Sequence, residues 1–223
     1  MIQSDLHRIN PNHPVLLMDF DQTIRNGGGT SNRIMKTLYK ILEERGVEQE
    51  KIEEVSIKTR REGRFGSYNY ILGLCDDDVD KFNELCAELF PRVDYSNVHR
   101  DIKLLKALKK VSKKYNLYIF TNAHRMHVDI CCKILFGVGL KDLNFIKCFD
   151  ITETYENGKF TRKQDEGGLE KACQRIGADM SECILIDDNK YIIKCAKSKG
   201  MRGIRIKNNK LELIQVLKVL KEI

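Results

Sequence analysis

A chain of 223 residues, 42% hydrophobic and 32% charged, has the make-up of a soluble globular protein able to bury one sizeable core, or a core with a smaller insertion. No apolar stretch approaches the roughly 20 residues that a membrane span needs, and "MIQSDLHRINPNHP" lacks the apolar segment of a secretory signal, so the cytoplasm, or the nucleus, is the expected location. A net charge of +7 suits an anionic partner, a small phosphate ester or a nucleic acid.

The apolar run Val15 to Met18, introduced by Pro14, reads as a short buried strand and ends in Asp19-Phe20-Asp21. Alternate residues project to the same side, so two carboxylates sit together where ligands bind in a parallel α/β sheet. Such a pair needs a cation, and a hard, oxygen-ligated ion such as Mg²⁺ fits. Gly27, Gly28 and Gly29 then supply a flexible passage.

From 26 to 97 the pattern is helical, near 31–45 (Ile34, Leu38, Ile41, Leu42), 49–61 and 78–90 (Val79, Phe82, Leu85, Leu89), with Gly46 and Pro91 as punctuation. The D-x-D repeats of "CDDDVDKF" (Asp76, Asp78, Asp80) follow no strand, and these acids are expected to cap the next helix. They show that carboxylate pairs arise in this chain without chemistry.

Next comes a helix at 99–114, whose lysines read as a solvated face over Leu104, Leu105, Leu108 and Val111. A strand at 116–120 follows and ends in Thr121-Asn122, a hydroxyl and an amide at a helix start suited to a phosphate. In the helix at 124–136, His124 and His127 read as core or surface histidines. Adjacent Cys131 and Cys132 point to different sides, and with no C-x-x-C present the eight cysteines are expected to be reduced, packed thiols.

After a strand at 145–149, Lys163 is expected at the start of a helix over 164–176. Lysine is disfavoured in a first turn unless an anion lies near, and Gly167 and Gly168 read as a weak helix start. A strand at 183–186 ends in Asp187-Asp188. A helix at 189–199, a strand at 202–206 and a helix at 208–221 complete the chain.

Strands alternating with helices predict a doubly wound, Rossmann-like parallel sheet, with residues 1–25 and 98–223 as the α/β core and 26–97 as an inserted helical cap. Acids, Thr-Asn, lysine and a second acid pair then occur in a fixed order, three of the four at expected strand ends.

"DFDQT", "FTNAH", the lysine of "RKQ" and "IDDN" resemble the four motifs of the haloacid dehalogenase superfamily of phosphotransferases, over about residues 14 to 206. "FTNA", "IDD" and the cap phrase Leu72-Gly73-Leu74 are similar to its pyrimidine 5′-nucleotidase branch. Gln164 departs from that branch's proline. Leu72 stands where the branch carries an arginine, leaving Arg61 or Arg64 to replace it.

The resemblance implies that Asp19 is the nucleophile and Asp21 the general acid and base, with Thr121, Asn122 and Lys163 holding the phosphoryl oxygens. It implies Mg²⁺ on Asp19, the backbone carbonyl of Asp21, and one or both of Asp187 and Asp188. The expected function is a Mg²⁺-dependent phosphomonoesterase for nucleoside 5′-monophosphates. The alternatives are a phosphatase or phosphomutase for sugar phosphates and, in another class, a basic nucleic-acid-binding protein, disfavoured because no reader motif accompanies the charge.

Overall fold

The computed structural model describes residues 12–25, 29–64, 66–143, 145–207 and 210–222. Its centre is a five-stranded parallel sheet in the order β3-β2-β1-β6-β7, with β1 at Val15–Met18, β2 at Asn116–Phe120, β3 at Ile146–Phe149, β6 at Cys183–Asp187 and β7 at Arg202–Arg205. Every residue of β1 is buried, as a strand sandwiched between helical layers requires. Alternation sorts the side chains between two cores.

On one face Leu16, Met18, Leu117, Ile119, Ile184 and Ile186 pack with α5 (Ile102–Val111), α6 (Arg125–Phe136) and α9 (Lys210–Glu222). On the other, Val15, Leu17, Tyr118, Phe120 and Leu185 meet α7 (Gly168–Ile176) and α8 (Lys190–Ser198). In α5 the stripe Leu104, Leu108 and Val111 is buried beneath the solvated lysines. Cys131 and Cys132 are both buried, and all eight cysteines are free thiols.

Between β1 and β2 lie α1 (Thr30–Glu44), α2 (Gln49–Arg61), α3 (Ser67–Leu74) and α4 (Val79–Arg92), an inserted helical cap with its own apolar cluster around Leu38, Ile41, Phe82, Leu89 and Phe90. Asp78 caps α4, accepting from the backbone N–H groups of Asp80 and Lys81, a local role for that acid run. Of the three expected hinge glycines, Gly27 and Gly28 lie outside the described residues; Gly29 precedes α1 in a left-handed conformation.

Helix α3 is absent from the sequence reading because it has eight residues and a glycine near its end, which leaves periodicity little to act on. Gly73 has a packing reason: a Cβ there would lie 2.8 Å from Thr59 Cγ2 and 3.1 Å from Val55 Cγ1, so α3 can approach α2 only without one. Equally unforeseen is the short hairpin of β4 (Tyr155–Glu156) and β5 (Lys159–Phe160). Phe160 enters the cap cluster, and Asn69 of α3 bonds both its N–H and its C=O.

Candidate active site

The sheet order decides where the polar residues meet. From β1 the chain steps to β2 and β3 on one side, then crosses to β6 and β7 on the other. The crevice beyond the carboxyl ends of β1 and β6 is therefore a topological switch point. Asp19 follows β1, Thr121 follows β2, and Asp187 closes β6.

Asp19 is anchored by its own N–H, which donates to Ile186 C=O at 2.8 Å. Asp187 accepts from Asn189 N–H at 2.8 Å through Oδ1, while its backbone carbonyl accepts from Ile206 N–H. Asn189, not the acid pair, caps α8. This leaves Asp187 Oδ2 to face the crevice.

Lys163 fills the space between the two carboxylates. Its Nζ donates to Asp19 Oδ1 at 2.5 Å, to Asp187 Oδ2 at 2.7 Å and to Phe120 C=O at 3.2 Å, which uses all three ammonium donors. All three side chains are buried, with Lys163 3% and Asp187 1% exposed. Burying an isolated ion costs several kcal/mol, so these groups coexist only because each has partners.

The charges do not balance: one ammonium faces two carboxyls. Burial, with the Asp187 charge beside it, pushes the Asp19 carboxyl up to about 8 although Lys163 opposes the shift. Lys163 is held above the usual lysine range, since the two carboxylates outweigh its own burial. Both shifts have one meaning: the amine keeps its proton, and the surplus negative charge is what the site resists. Asp188, half-buried, is also raised, by burial and by Asp187.

Asp19, Asp187 and Asp188 each offer a carboxylate oxygen, and these atoms lie within 4.8 Å of one another. Three hard oxygen donors with uncompensated negative charge fit a hard divalent cation. The Asp21 carboxylate is outside this group and turns elsewhere. Its Oδ1 accepts from Arg25 Nε at 2.6 Å and lies 3.2 Å from His127 Nε2. Partial burial opposes ionisation, but His127 and Arg25 hold the Asp21 carboxyl well below the usual carboxylate range. The two aspartates of one motif thus occupy opposite electrostatic settings.

Thr121 is buried. Its Oγ1 accepts from Ala123 N–H at 3.0 Å and keeps its own proton to donate. Asn122 spends its side chain on the lysine loop: Oδ1 accepts from Lys163 N–H at 2.9 Å, and Nδ2 donates to Gln164 Oε1 at 2.9 Å. Among the described residues its backbone N–H has no acceptor, which leaves that group for a ligand.

Lys163 does not lie at a helix start. Helix α7 begins at Gly168, and 161–167 form a turn in which Asp165 accepts from the Arg162 backbone N–H and guanidinium. The lysine is therefore compensated by Asp19 and Asp187, not by an anion at a first turn. Gly167, left-handed, caps α7, as expected of a weak helix start. Arg64, a candidate for binding a ligand through the cap, is buried against Asp77, Glu62 and Gly158 C=O.

Two contacts of Asp21 escaped sequence reading. Arg25 is 2% exposed and His127 wholly buried, and a polar residue's burial has no one-dimensional signature. The four-residue spacing of Asp21 and Arg25 was the available hint; nothing in the sequence joined His127 to Asp21, 106 residues away.

The sequence matches the haloacid dehalogenase-like hydrolase family over residues 16–206. Among curated proteins none matches. Solved structures share the fold at low identity. A haloacid dehalogenase family enzyme from Bacteroides thetaiotaomicron, in complex with magnesium and inorganic phosphate, is 18% identical, with 89% of this chain and 96% of that one covered and a TM-score of 0.54. CbbY from Rhodobacter sphaeroides, a variant bound to xylulose 1,5-bisphosphate, is 13% identical, with 89% of each chain covered and a TM-score of 0.55. A predicted hydrolase of the same kind from Porphyromonas gingivalis is 14% identical, with 94% and 98% covered and a TM-score of 0.54. With the family model matched over residues 16–206 of its 223, this chain belongs to the haloacid dehalogenase-like hydrolases.

Proposed function

We propose that the protein is a Mg²⁺-dependent phosphomonoesterase that works through an aspartyl-phosphate and acts on nucleoside 5′-monophosphates. The observation that carries this reading is the buried cluster at the switch point, where Lys163 Nζ lies within 2.7 Å of carboxylates from two strands. Mg²⁺ would be held by Asp19, Asp187 and Asp188, with the backbone carbonyl of Asp21. When bound it supplies the positive charge this cluster lacks and lets two anions approach.

In the first half-reaction an Asp19 carboxylate oxygen attacks phosphorus, the ester P–O bond breaks, and the leaving alkoxide takes a proton that Asp21, ionised in the unliganded protein, must first acquire as the ester binds. In the second, Asp21 takes a proton from water as its oxygen attacks phosphorus. The bond to Asp19 breaks and inorganic phosphate leaves. Thr121 Oγ1 and the Asn122 backbone N–H are placed to hold the phosphoryl oxygens as charge spreads over them, and Lys163 would join them by giving up one of its three present acceptors, Asp19, Asp187 or Phe120 C=O. Residues 26–97 would act as the cap, closing on residues 1–25 and 98–223 to exclude water.

"FTNA", "IDD" and the Leu72-Gly73-Leu74 phrase support the nucleotide over other monoesters. A phosphate-release screen over nucleoside monophosphates, sugar phosphates and other monoesters with Mg²⁺ tests the substrate class. Asp19→Asn tests the chemistry: release should vanish while the circular dichroism of the fold is retained. Activity in that variant would remove the nucleophile, and preference for sugar phosphates would replace the nucleotide.

A further inference from the structure

Within the phosphoryl-transfer reading, on which this inference rests, Asp21 must deliver and collect a proton at one defined oxygen. Its two oxygens are not equivalent. Oδ1 lies 2.6 Å from Arg25 Nε and 3.2 Å from His127 Nε2, whereas Oδ2 has no partner among the described residues and the side chain is 39% exposed.

Behind each contact stands a second. His127 Nδ1 lies 3.1 Å from the Tyr95 hydroxyl, and His127 is wholly buried, so its ring cannot turn freely. If Tyr95 O–H donates to Nδ1, then Nε2 carries the proton and donates to Asp21; this is the one tautomer that satisfies both contacts of a neutral ring. On the other side, Arg25 Nη1 donates to Thr30 Oγ1 at 2.9 Å. Thr30 opens α1, and Tyr95 lies between α4 and α5. Both passages between core and cap therefore end on the same carboxylate oxygen.

We infer that His127 and Tyr95, with Arg25, are positioning residues that immobilise Asp21 Oδ1 and so make Oδ2 the atom that exchanges protons with water and leaving group. None of the three need touch substrate. Their contribution is orientation: a carboxylate held at one oxygen presents the other at a constant angle, and small misplacements of a proton acceptor are costly.

The test isolates dephosphorylation, where water must give its proton to Asp21. With p-nitrophenyl phosphate and Mg²⁺ the leaving group needs no proton, so aspartyl-phosphate formation proceeds without Asp21's help. In His127→Ala, kcat should fall at least about tenfold, a part of the roughly 10²–10⁴-fold that a positioned base supplies. KM should fall in proportion, leaving kcat/KM unchanged, and a burst of p-nitrophenol of about one equivalent per active site should precede the slow steady state.

Tyr95→Phe, which removes one hydroxyl, should move kcat and KM the same way by a smaller factor. His127→Gln, which keeps an N–H donor, should recover part of the loss. The inference is overturned if kcat/KM falls with kcat at constant KM in Tyr95→Phe, if no burst appears, or if neither variant changes the kinetics. Should His127→Ala fail to fold, the Tyr95→Phe and His127→Gln results decide. Wild-type protein that releases no p-nitrophenol would instead refute the phosphatase reading itself.

Discussion

Lys163 Nζ lies 2.5 Å from Asp19 Oδ1 across 144 residues of sequence. The contact closes a buried triangle with Asp187, and it holds the lysine loop on the strand that carries the proposed nucleophile. Replacing Lys163 with Met leaves two carboxyls facing each other with no ammonium. Losing one partner of a buried ion pair costs about 3 kcal/mol, and we expect a loss of that order in urea unfolding with EDTA present. Mg²⁺ should restore more stability to the variant than to the wild type, because it replaces the missing charge. A variant as stable as the wild type in EDTA would show that the triangle is not held by this ion.

Metal affinity should depend on Asp188 as well as on the two carboxylates that Lys163 already binds. Asp188 contributes a third oxygen within 4.8 Å and is raised by burial and by Asp187, so a cation relieves it directly. Even groups outside the ligand shell change metal affinity by about 10–100-fold. Asp188→Asn should therefore weaken Mg²⁺ at least about tenfold, read as a displaced midpoint when thermal stability is titrated with MgCl₂. EDTA should abolish phosphate release, and added Mg²⁺ should restore it. An unchanged midpoint in Asp188→Asn would leave Asp19 and Asp187 as the carboxylate ligands.

Gly168 keeps the lysine loop in place by having no side chain. A Cβ at this position would lie 2.1 Å from the Arg162 carbonyl oxygen, a backbone atom that cannot rotate away. Gly168→Ala should cost about 1–3 kcal/mol, as overpacking does, and it should depress phosphate release by displacing Lys163. Gly167→Ala is the contrast. There φ is +73° with open space around it, so the expected cost is about 1–2 kcal/mol of backbone strain with activity largely kept. Equal loss of activity in both variants would contradict the steric argument.

His124 makes stability depend on pH. Its Nδ1 accepts from Met126 N–H at the start of α6, and Nε2 lies 3.2 Å from Asn83 Oδ1, so the neutral ring is fully used. Burial, aided by Arg125 and His127 against the pull of Asp150, lowers its pKa from 6.5 to about 4. The unfolded chain thus takes up a proton that the folded chain refuses. This contribution is complete above pH 6.5 and is lost as the pH falls from 6.5 to about 4. His124→Asn keeps an N-cap acceptor without a titrating group. Between pH 7 and 4, wild type should lose on the order of 2 kcal/mol more than the variant in urea unfolding. Parallel stability curves would exclude His124 as the source.

Much of the architecture was legible in one dimension. The three central strands β1, β2 and β6 carry the short apolar runs that a strand buried on both faces requires, the edge strands β3 and β7 are more polar, and the helices between them repeat apolar residues at helical spacing. Gly and Pro mark their ends. The small pieces escaped: α3 and the β4–β5 hairpin are too short for a period to register, and they persist because Asn69, Phe160 and the cap cluster hold them.

The site divides along the same line. Residue type and position after a strand singled out Asp19, Thr121 and Asp187, since a parallel sheet brings its strand ends to one edge whatever lies between; Lys163 stood out through an expected helix start, which the structure moves to Gly168. What the sequence could not supply was partnership. That Lys163 bridges two carboxylates, that Asn122 spends its side chain on the lysine loop, and that Asp21 is gripped by Arg25 and His127 follow from distances of 3.2 Å or less between residues up to 144 apart in the chain. Charge interactions and hydrogen bonds depend on separation in space and on burial, and both are set only when the sheet has assembled and the cap has packed against it.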